Sequence, residues 1–252
     1  MGGYTYYNED DFFRSYQERR HRAESPNNVM EGPALMPLLG NVEGKDVLDL
    51  GCGDGQTGVE LFAGGASSYH GIDGSVRMIE LAEGNLKDMN ATLEQMDLNV
   101  LEVGIMKYDL IISRFVLHYL ADLSTLFQKI HHLLKEDGKF VFSVQHPIIT
   151  ASIKSAQGKL RADWIVDDYF DVGERIEPWI NQPVTKYHRT TERYVQELLD
   201  AGFMLINLKE GTPERHRFNT VEEYERRKRI PLCLILSAEK VPGTDQEGRR
   251  IK

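Results

Sequence analysis

Short apolar segments alternate with segments of helical periodicity over the first half of the chain, and this alternation is what most restricts the fold. The apolar runs are bounded by glycine or polar residues and are short, as is typical of strands. DLIIS and KFVFSV contain consecutive apolar residues, as expected of strands buried on both faces. The pattern predicts βαβ units in an α/β fold with a doubly wound, mostly parallel sheet. The strand-like runs read KDVLDLG, SSYHGIDG, ATLEQMDL, YDLIISRF and KFVFSVQH.

The helix that precedes KFVFSVQH has the clearest periodicity. Apolar residues recur at i, i+4, i+7 and i+11 from Leu123 to Leu134, which predicts an amphipathic helix lying on the sheet. Asp122 is placed to cap its N-terminus and Gly138 to end it. Two later strand-like runs, FMLINLKE and PLCLILSAEK, have no long helix between them. We therefore expect the last strand to pair antiparallel.

The periodicity stops after His146. Residues 147–186 show neither helical nor strand periodicity, although they are rich in aromatic side chains. Loops beyond the carboxyl ends of strands surround the ligand crevice in such sheets, which predicts a substrate lid here. The alternative is a subdomain that only packs. The aromatic residues that motivate the prediction are Trp164, Tyr169, Phe170 and Trp179.

Composition and charge disfavour several kinds of partner. The 252 residues include 39 acidic side chains against 30 Lys and Arg, a formal net charge of −9. Nucleic acids and anionic membranes favour clustered cations, so neither is expected as a partner. No apolar stretch approaches the ~18 residues of a membrane span, and the N-terminus lacks a signal-peptide pattern. Cys52 and Cys233 lie far apart, so a disulfide is not needed and we expect a reducing, cytoplasmic environment. We also expect a monomer or a homodimer.

The sequence VLDLGCGDGQTG, residues 47–58, predicts a strand that ends in a ligand-binding turn. Gly51, Gly53 and Gly55 remove side chains where the backbone turns sharply, and the following helix presents free N–H groups. A second strand, SYHGID, ends in Asp73, where a carboxylate can accept hydrogen bonds from both ribose hydroxyls. Together, the turn and the acid predict an adenosine site.

The residues around the turn distinguish between adenosine cofactors. A dinucleotide site needs Gly-x-Gly-x-x-Gly or Ala, but Gln56 occupies the last position here. Asp49 points into the turn and would repel a pyrophosphate, whereas it suits a ligand with an ammonium group. S-Adenosylmethionine has an adenosine and an ammonium group and lacks phosphate. A nicotinamide-dependent oxidoreductase is the alternative.

These motifs resemble those of the class I S-adenosylmethionine-dependent methyltransferases of the small-molecule type. The resemblance runs from Asn8 to about Lys240, and VLDLGCGDG is its most specific element. GIDGSVRMIELA, YDLIISRFVLHYL and LLKEDGKFVFSV support it. After the fourth strand the chain reads SRFV, without the Asn/Asp-Pro-Pro-Tyr or Pro-Cys motifs of the DNA-methylating branches.

The resemblance implies a Rossmann-like methyltransferase fold with a seven-stranded sheet, S-adenosyl-L-methionine as cofactor and a small-molecule methyl acceptor. It implies N-terminal cover helices in residues 1–44, a methyltransferase domain in residues 45–240 with the lid insertion at about 147–186, and a tail in residues 241–252. The implied site residues are Asp49, Gly51 and Gly53 for the methionine portion, Asp73 for the ribose, Gly74, Met96 and Asp97 for the adenine, and Ser113 with Phe115 towards the substrate.

Five further residues are candidates for the site. Tyr16 and Arg22 are expected to reach the cofactor carboxylate from the N-terminal helix, the alternative being residues on a basic surface. His118 and His146 follow the fourth and fifth strands, where a base would be useful if the nucleophile carries a proton. Either could equally be a packed or capping histidine, and His188 is as much a structural contact as a site residue.

Two alternatives concern the kind of site. Three histidines near one crevice could bind a metal, but no close ligand spacing such as His-Glu-x-x-His supports this, and we predict no metal. The non-enzymatic alternative is a regulatory protein that binds the cofactor without turnover.

Overall fold

A computed structural model of the chain describes residues 3–156 and 163–241. Nine strands are present among the described residues. They are β1 (Asp46–Leu50), β2 (Ser68–Asp73), β3 (Ala91–Gln95), β4 (Tyr108–Arg114), β5 (Leu134–Gln145), β6 (Gly173–Trp179), β7 (Gln182–His188), β8 (Phe203–Lys209) and β9 (Cys233–Lys240).

Eight α-helices and several shorter turns connect these strands within the described residues. The helices are α1 (Asp10–Arg20), α2 (Gly32–Leu39), α3 (Gln56–Ala63), α4 (Val76–Asn85), α5 (Leu123–Leu133), α6 (Pro147–Thr150), α7 (Thr191–Asp200) and α8 (Val221–Arg227). The shorter elements are a π-helix (Asn27–Glu31) and 3₁₀ turns at Gly3–Asn8, Leu98–Val100, Leu117–Tyr119, Ile153–Ala156 and Arg215–Arg217.

Seven strands form one sheet in the order β3-β2-β1-β4-β5-β9-β8. The pairings of β1 with β2 and β4, of β2 with β3 and of β4 with β5 are all parallel. β9 lies between β5 and β8 and pairs antiparallel with both. The predicted doubly wound, mostly parallel seven-stranded sheet is confirmed, and so is the antiparallel last strand.

The core lies on both faces of this sheet. Along β4, Ile111 packs into the cluster on one face, whereas Leu110 and Ile112 pack into the cluster on the other. All three side chains are buried. Because successive side chains point to opposite faces of a strand, a strand covered on both sides is apolar at every position. This accounts for the consecutive apolar residues of DLIIS and KFVFSV.

Helix α5 begins as predicted and ends earlier than predicted. The Asp122 carboxylate accepts a hydrogen bond from the Thr125 N–H at 3.0 Å, which caps the helix N-terminus. The helix ends at Leu133, not near Gly138, because Leu134 already pairs with Tyr108 as the first residue of β5. Sheet pairing therefore takes over where the helical periodicity still continues.

The aromatic insertion contains regular structure that the sequence did not reveal. It includes α6, a 3₁₀ turn and the antiparallel hairpin β6–β7. Ile180 and Asn181 connect the two strands, both with positive φ, as in the tight turns of two-residue hairpins. β6 alternates between exposed residues and half-buried or buried ones, and its one buried residue is the charged Glu177, so it lacks the apolar pattern of a sheet strand. Residues 157–162 of the predicted insertion and 242–252 of the predicted tail lie outside the described residues.

The N-terminal helix packs against this hairpin. Phe12 of α1 forms a buried cluster with Ile180 and Val184 of the hairpin. Aromatic side chains surround the cluster and extend it. The helix and the hairpin thus form one layer, although strands β1 to β5 lie between them in the sequence. The surrounding aromatic residues are Tyr6, Tyr7, Tyr16, Tyr119 and Trp179.

A buried ion pair fixes the start of α2 against the end of β4. The guanidinium of Arg114 donates to both carboxylate oxygens of Glu31, at 3.1 and 2.5 Å. Ser143 also donates to Glu31, and Arg114 donates to the Thr57 hydroxyl. The Glu31 side chain is 0% exposed and that of Arg114 is 10% exposed, so this network is almost entirely removed from solvent.

Replacing Glu31→Gln should destabilise the fold strongly, because it leaves the buried Arg114 cation without its counter-charge. We expect the free energy of unfolding, measured by urea denaturation, to fall by about 3–5 kcal/mol. The exposed residue Glu80 on α4 provides the matched control, and Glu80→Gln should change stability by less than about 0.5 kcal/mol. Similar values for the two variants would show that the ion pair contributes little.

Candidate active site

The turn after β1 is built for close backbone approach. Gly51, Gly53 and Gly55 have φ of +81°, +55° and +73°, which L-residues with side chains rarely adopt. A Cβ atom added at Gly51 would lie 2.2 Å from Val116 Cγ2, so the turn is closed on that side. A Cβ added at Gly53 would meet no atom of the described residues within 4 Å. The turn therefore faces open space at Gly53.

Asp73, at the end of β2, is tied to the same turn. Its carboxylate accepts hydrogen bonds from the backbone N–H groups of Gly53 at 2.9 Å and of Ser75 at 2.8 Å. Burial raises the pKa of Asp73, and these two N–H groups oppose that increase. The predicted turn and the predicted acid are thus brought together.

Asp49 is the most buried acid beside the turn, at 1% exposure. One of its carboxylate oxygens, Oδ2, accepts a hydrogen bond from the Tyr69 hydroxyl at 2.8 Å. The other, Oδ1, finds no donor among the described residues. Burial raises the pKa of Asp49 to about 7, although the Tyr69 hydrogen bond and the charge of Arg114 oppose the shift. A cationic donor would satisfy the free oxygen and stabilise the charge.

A cavity of about 1310 Å³ lies over the carboxyl ends of the central strands. The turn and the acids line it together with residues of α1, the β6–β7 hairpin and α8. Most of the predicted site residues line it. They are Tyr16, Arg22, Asp49, Gly51, Gly53, Asp73, Gly74, Asp97, Phe115 and His118.

Met96, Ser113 and His146 are not among the described residues that line the cavity. Met96 packs against the sheet core, and the buried Ser113 hydroxyl donates to the Leu50 carbonyl oxygen at 2.8 Å. His146 caps α6: its Nδ1 accepts from the Ile148 N–H, and its Nε2 contacts Glu210 at 3.2 Å. The expectation that His146 faces the cavity is therefore corrected, because both ring nitrogens are engaged in local structure.

The other two candidate histidines differ from each other. His188 is held between the Thr150 hydroxyl and the Tyr169 carbonyl oxygen, at 2.6 and 2.8 Å, and does not line the cavity. His118 lines the cavity, and its Nδ1 accepts from the Gln145 N–H at 3.4 Å. Burial, together with the charges of Lys186 and Arg189, keeps the pKa of His118 well below its usual value. The ring is neutral, and this hydrogen bond assigns its proton to Nε2.

The cavity also contains a buried ion pair that the sequence did not reveal. Lys186 of β7 donates to Glu177 of β6 at 2.5 Å and to the Gln145 side chain at 3.0 Å. Lys186 and Glu177 are only 4% and 5% exposed, and the ammonium lies 5.4 Å from the Trp179 ring. Only the hairpin pairing brings these residues together. In the sequence, the one indication of this ion pair is that Glu177 and Lys186 lie in an aromatic-rich segment.

Tyr4 is another residue of the cavity wall that the sequence did not reveal. A Cβ atom at Gly74 would lie 2.4 Å from the Tyr4 ring, so the N-terminal 3₁₀ turn packs directly on Gly74. Burial and the neighbouring Asp97 carboxylate, which accepts a hydrogen bond from Tyr4, raise the pKa of Tyr4. The N-terminal segment therefore covers the residues implied for adenine.

The described residues include neither a metal-binding cluster nor a membrane-spanning helix. They contain no group of three or more His, Cys, Asp or Glu side chains placed to hold a metal ion. No helix among them is both long and apolar enough to cross a membrane.

Comparisons with known proteins decide the family. Residues 41–193 match the family described as "Methyltransferase domain". An uncharacterized Haemophilus influenzae protein is 31% identical over 250 residues, which cover 93% of this chain and 96% of that protein. The chain belongs to the class I S-adenosylmethionine-dependent methyltransferases. It is therefore an enzyme, and S-adenosylmethionine is its cofactor.

Solved structures of this methyltransferase family agree with the assignment. An S-adenosylmethionine-dependent methyltransferase from Mesorhizobium loti is 32% identical, with a TM-score of 0.77 over 88% of this chain and all of that one. A Listeria monocytogenes protein is also 32% identical, with a TM-score of 0.77, and covers 84% of this chain and 96% of its own. The nicotinamide oxidoreductase alternative is set aside.

Two observations show that the residues present fit the methyltransferase cofactor. The Asp49 oxygen that lacks a partner among the described residues suits an ammonium donor. The open space at Gly53 is the kind of cradle that a side chain would fill. Both features lie at the acidic end of the cavity.

The pKa of Asp49 should make stability depend on pH. Its carboxyl binds a proton up to pH about 7 in the folded enzyme, but only up to its ordinary 3.8 when unfolded. The folded state is therefore stabilised by the tighter binding of this proton. That stabilisation is complete below pH 3.8 and is lost as pH rises to about 7. Relative to Asp49→Asn, the free energy of unfolding should fall over that interval by at most about 4 kcal/mol. Parallel pH profiles from denaturant titrations would show that Asp49 ionises normally.

Proposed function

We propose that this methyltransferase transfers the methyl group of S-adenosylmethionine to a small molecule bound in the same cavity. The volume of about 1310 Å³ is the observation that supports this. Sites for a single small ligand usually enclose about 300–1,000 Å³. The cavity can therefore hold the cofactor at the glycine turn and a second small molecule beneath the hairpin.

The cofactor residues are proposed from their positions on the cavity wall. Asp49 would bind the ammonium group, with the Gly51–Gly53 backbone beside the methionine portion, and Asp73 would bind the ribose hydroxyls. Tyr16 and Arg22 of the N-terminal segment would hold the carboxylate, and Gly74 and Asp97 the adenine. When bound, the sulfonium supplies an electrophilic methyl group.

The chain itself mainly positions the acceptor and excludes water. Helix α1 and the hairpin, which we propose to be the lid, pack together over the cavity through Phe12, Ile180 and Val184. Tyr119, Trp179 and the Lys186–Glu177 pair line the space beneath them. Orientation within a desolvated site contributes strongly to displacement reactions.

We propose that His118 positions the acceptor and is not the base. Its Nδ1 already accepts the Gln145 N–H, and its Nε2 carries the proton. A neutral ring of this tautomer can donate a hydrogen bond to an acceptor oxygen, but it has no free lone pair to take a proton. His146 is not proposed as the base either, because its ring nitrogens contact Glu210 and the Ile148 N–H.

The acceptor class can be tested with S-adenosylmethionine labelled in its methyl group. A cell extract of the source organism would be separated into small-molecule, protein and RNA fractions, and each would be incubated with the enzyme. Label should enter the small-molecule fraction. Label in protein or RNA would contradict the proposal, and cofactor binding without labelling of any fraction would favour the regulatory alternative.

Asp73→Ala should weaken binding of S-adenosylhomocysteine at least tenfold in isothermal titration. Hydrogen bonds to a charged acceptor contribute about 1.5–3 kcal/mol each, and the ribose would lose two. Because Asp73 also holds the Gly53 N–H, thermal unfolding of the variant must be measured alongside. Asp73→Asn, which keeps the shape, should give an intermediate loss.

Glu83, an exposed residue of α4, supplies the control for this experiment. Glu83→Ala should bind the product as the parent does. Unchanged affinity in a folded Asp73→Ala protein would place the ribose elsewhere.

A further inference from the structure

The wall of the cavity is polarised in charge. Around the turn and the ends of the central strands it carries four acids, Asp49, Asp54, Asp73 and Asp97, and one cation, Arg114. The end of α1, the segment that follows it and α8 form another part of the wall, the rim, which carries five arginines and two glutamates. This excess of cations occurs in a chain whose formal net charge is −9. The rim residues are Arg19, Arg20, Arg22, Arg226, Arg227, Glu24 and Glu223.

Most of the rim arginines lack a carboxylate of their own. Arg226 and Arg227 both donate to the single Glu223 carboxylate. Arg20 donates to the neutral side chain of Asn28 at 3.0 Å. Within the described residues, Arg19 and Arg22 form no ion pair. The rim therefore keeps uncompensated positive charge.

Contacts between the segments bring these arginines around one opening. The Asn219 N–H, just before α8, donates to Glu24 of the segment after α1. The Arg19 guanidinium lies 5.6 Å from the centre of the Trp179 ring on the hairpin. The indole N–H of Trp179 is buried and has no acceptor within the described residues. The Arg19 cation, the Trp179 ring and its unused N–H donor thus lie together on the cavity wall beneath the hairpin.

Two neighbouring arginines of the rim, Arg226 and Arg227, repel each other electrostatically. The pKa of Arg227 is lowered, first by burial and then by the neighbouring Arg226 cation, although Glu223 opposes both effects. A bound anion would relieve that repulsion. Arginine also suits carboxylate and phosphate groups because its fork of N–H donors can bind two oxygens at once.

We propose that the methyl acceptor carries a carboxylate or phosphate group, which binds at Arg19, Arg226 and Arg227 while its apolar part lies against Trp179. This inference rests on the proposed function, because it concerns the small molecule that shares the cavity with the cofactor. Arg22 is not part of this anion site, because we propose that it binds the carboxylate of the cofactor. The acids beside the glycine turn and the arginines of the rim are then complementary to a cationic cofactor and an anionic acceptor.

The charge of the acceptor can be tested by fractionation. The small-molecule fraction would be passed over an anion-exchange resin at pH 7, and the flow-through and the salt eluate would each be assayed for label uptake. Acceptor activity should be retained and then eluted by salt. Activity only in the flow-through would overturn the inference while leaving the proposed function intact. Activity in neither, or only in protein or RNA, would mean that the proposed function itself has failed.

Phosphatase treatment of the eluate distinguishes the two anions. Loss of acceptor activity after alkaline phosphatase would identify a phosphate monoester, and unchanged activity would leave a carboxylate or a phosphodiester. Both results support an anionic acceptor.

Substitutions then locate the anion site. The double variant Arg226→Gln/Arg227→Gln should raise the KM for the eluted acceptor at least fivefold, and Arg19→Gln should raise it further. The KM for S-adenosylmethionine should not change. Arg193 of α7, an exposed arginine paired with Glu197 away from the cavity, gives the control Arg193→Gln. An unchanged acceptor KM in the rim variants would overturn the proposed site.

Phenyl phosphate serves as a defined probe, with phenol as its neutral counterpart. Phenyl phosphate should inhibit methyl transfer competitively with the acceptor, at least tenfold more strongly than phenol. In the double variant this preference should fall at least fivefold, and it should persist in Arg193→Gln. Equal inhibition by the two compounds would overturn the inference.

Discussion

The hydrogen bonds between the first glycine turn and the end of β2 are the constraint on which the site depends. The N–H groups of Gly51 and Cys52 donate to the Ile72 carbonyl oxygen at 2.7 and 3.0 Å, and that of Gly53 donates to Asp73. Parallel pairing of β1 with β2 makes these contacts possible, since Leu50 lies opposite Ile72. The position of the glycine turn beside Asp73, where we propose that adenosine binds, is therefore a consequence of sheet register, and the positive φ angles of the turn are required to maintain it.

A second layer completes the cavity. The aromatic contacts between α1 and the β6–β7 hairpin close the space over the turn, and the buried Lys186–Glu177 pair faces that space from the hairpin. A buried ion pair costs desolvation energy, so it is weak support for stability. Its position on the cavity wall fits the proposal that it orients an acceptor.

The histidines show why a residue's place along a strand does not define its role. His118 and His146 both follow sheet strands, and both were reasonable candidates for a base. The structure places one on the cavity wall, and it places the other against Glu210 and the backbone of α6. Which direction a ring faces depends on the partners that the neighbouring segments offer it.

The sequence by itself determined the sheet and its cofactor end. Both depend on local features of the sequence: the apolar runs, the glycines at residues 51, 53 and 55, and the acid that ends the next strand. Because β1 and β2 pair in parallel, the glycines and the acid lie at the same edge of the sheet. Only the tertiary structure decided the acceptor end. Glu177 and Lys186 are brought together by the pairing of β6 with β7. Arg19 and Arg226 line the same cavity only because distant segments of the chain pack around it, and no local pattern of residues encodes that packing.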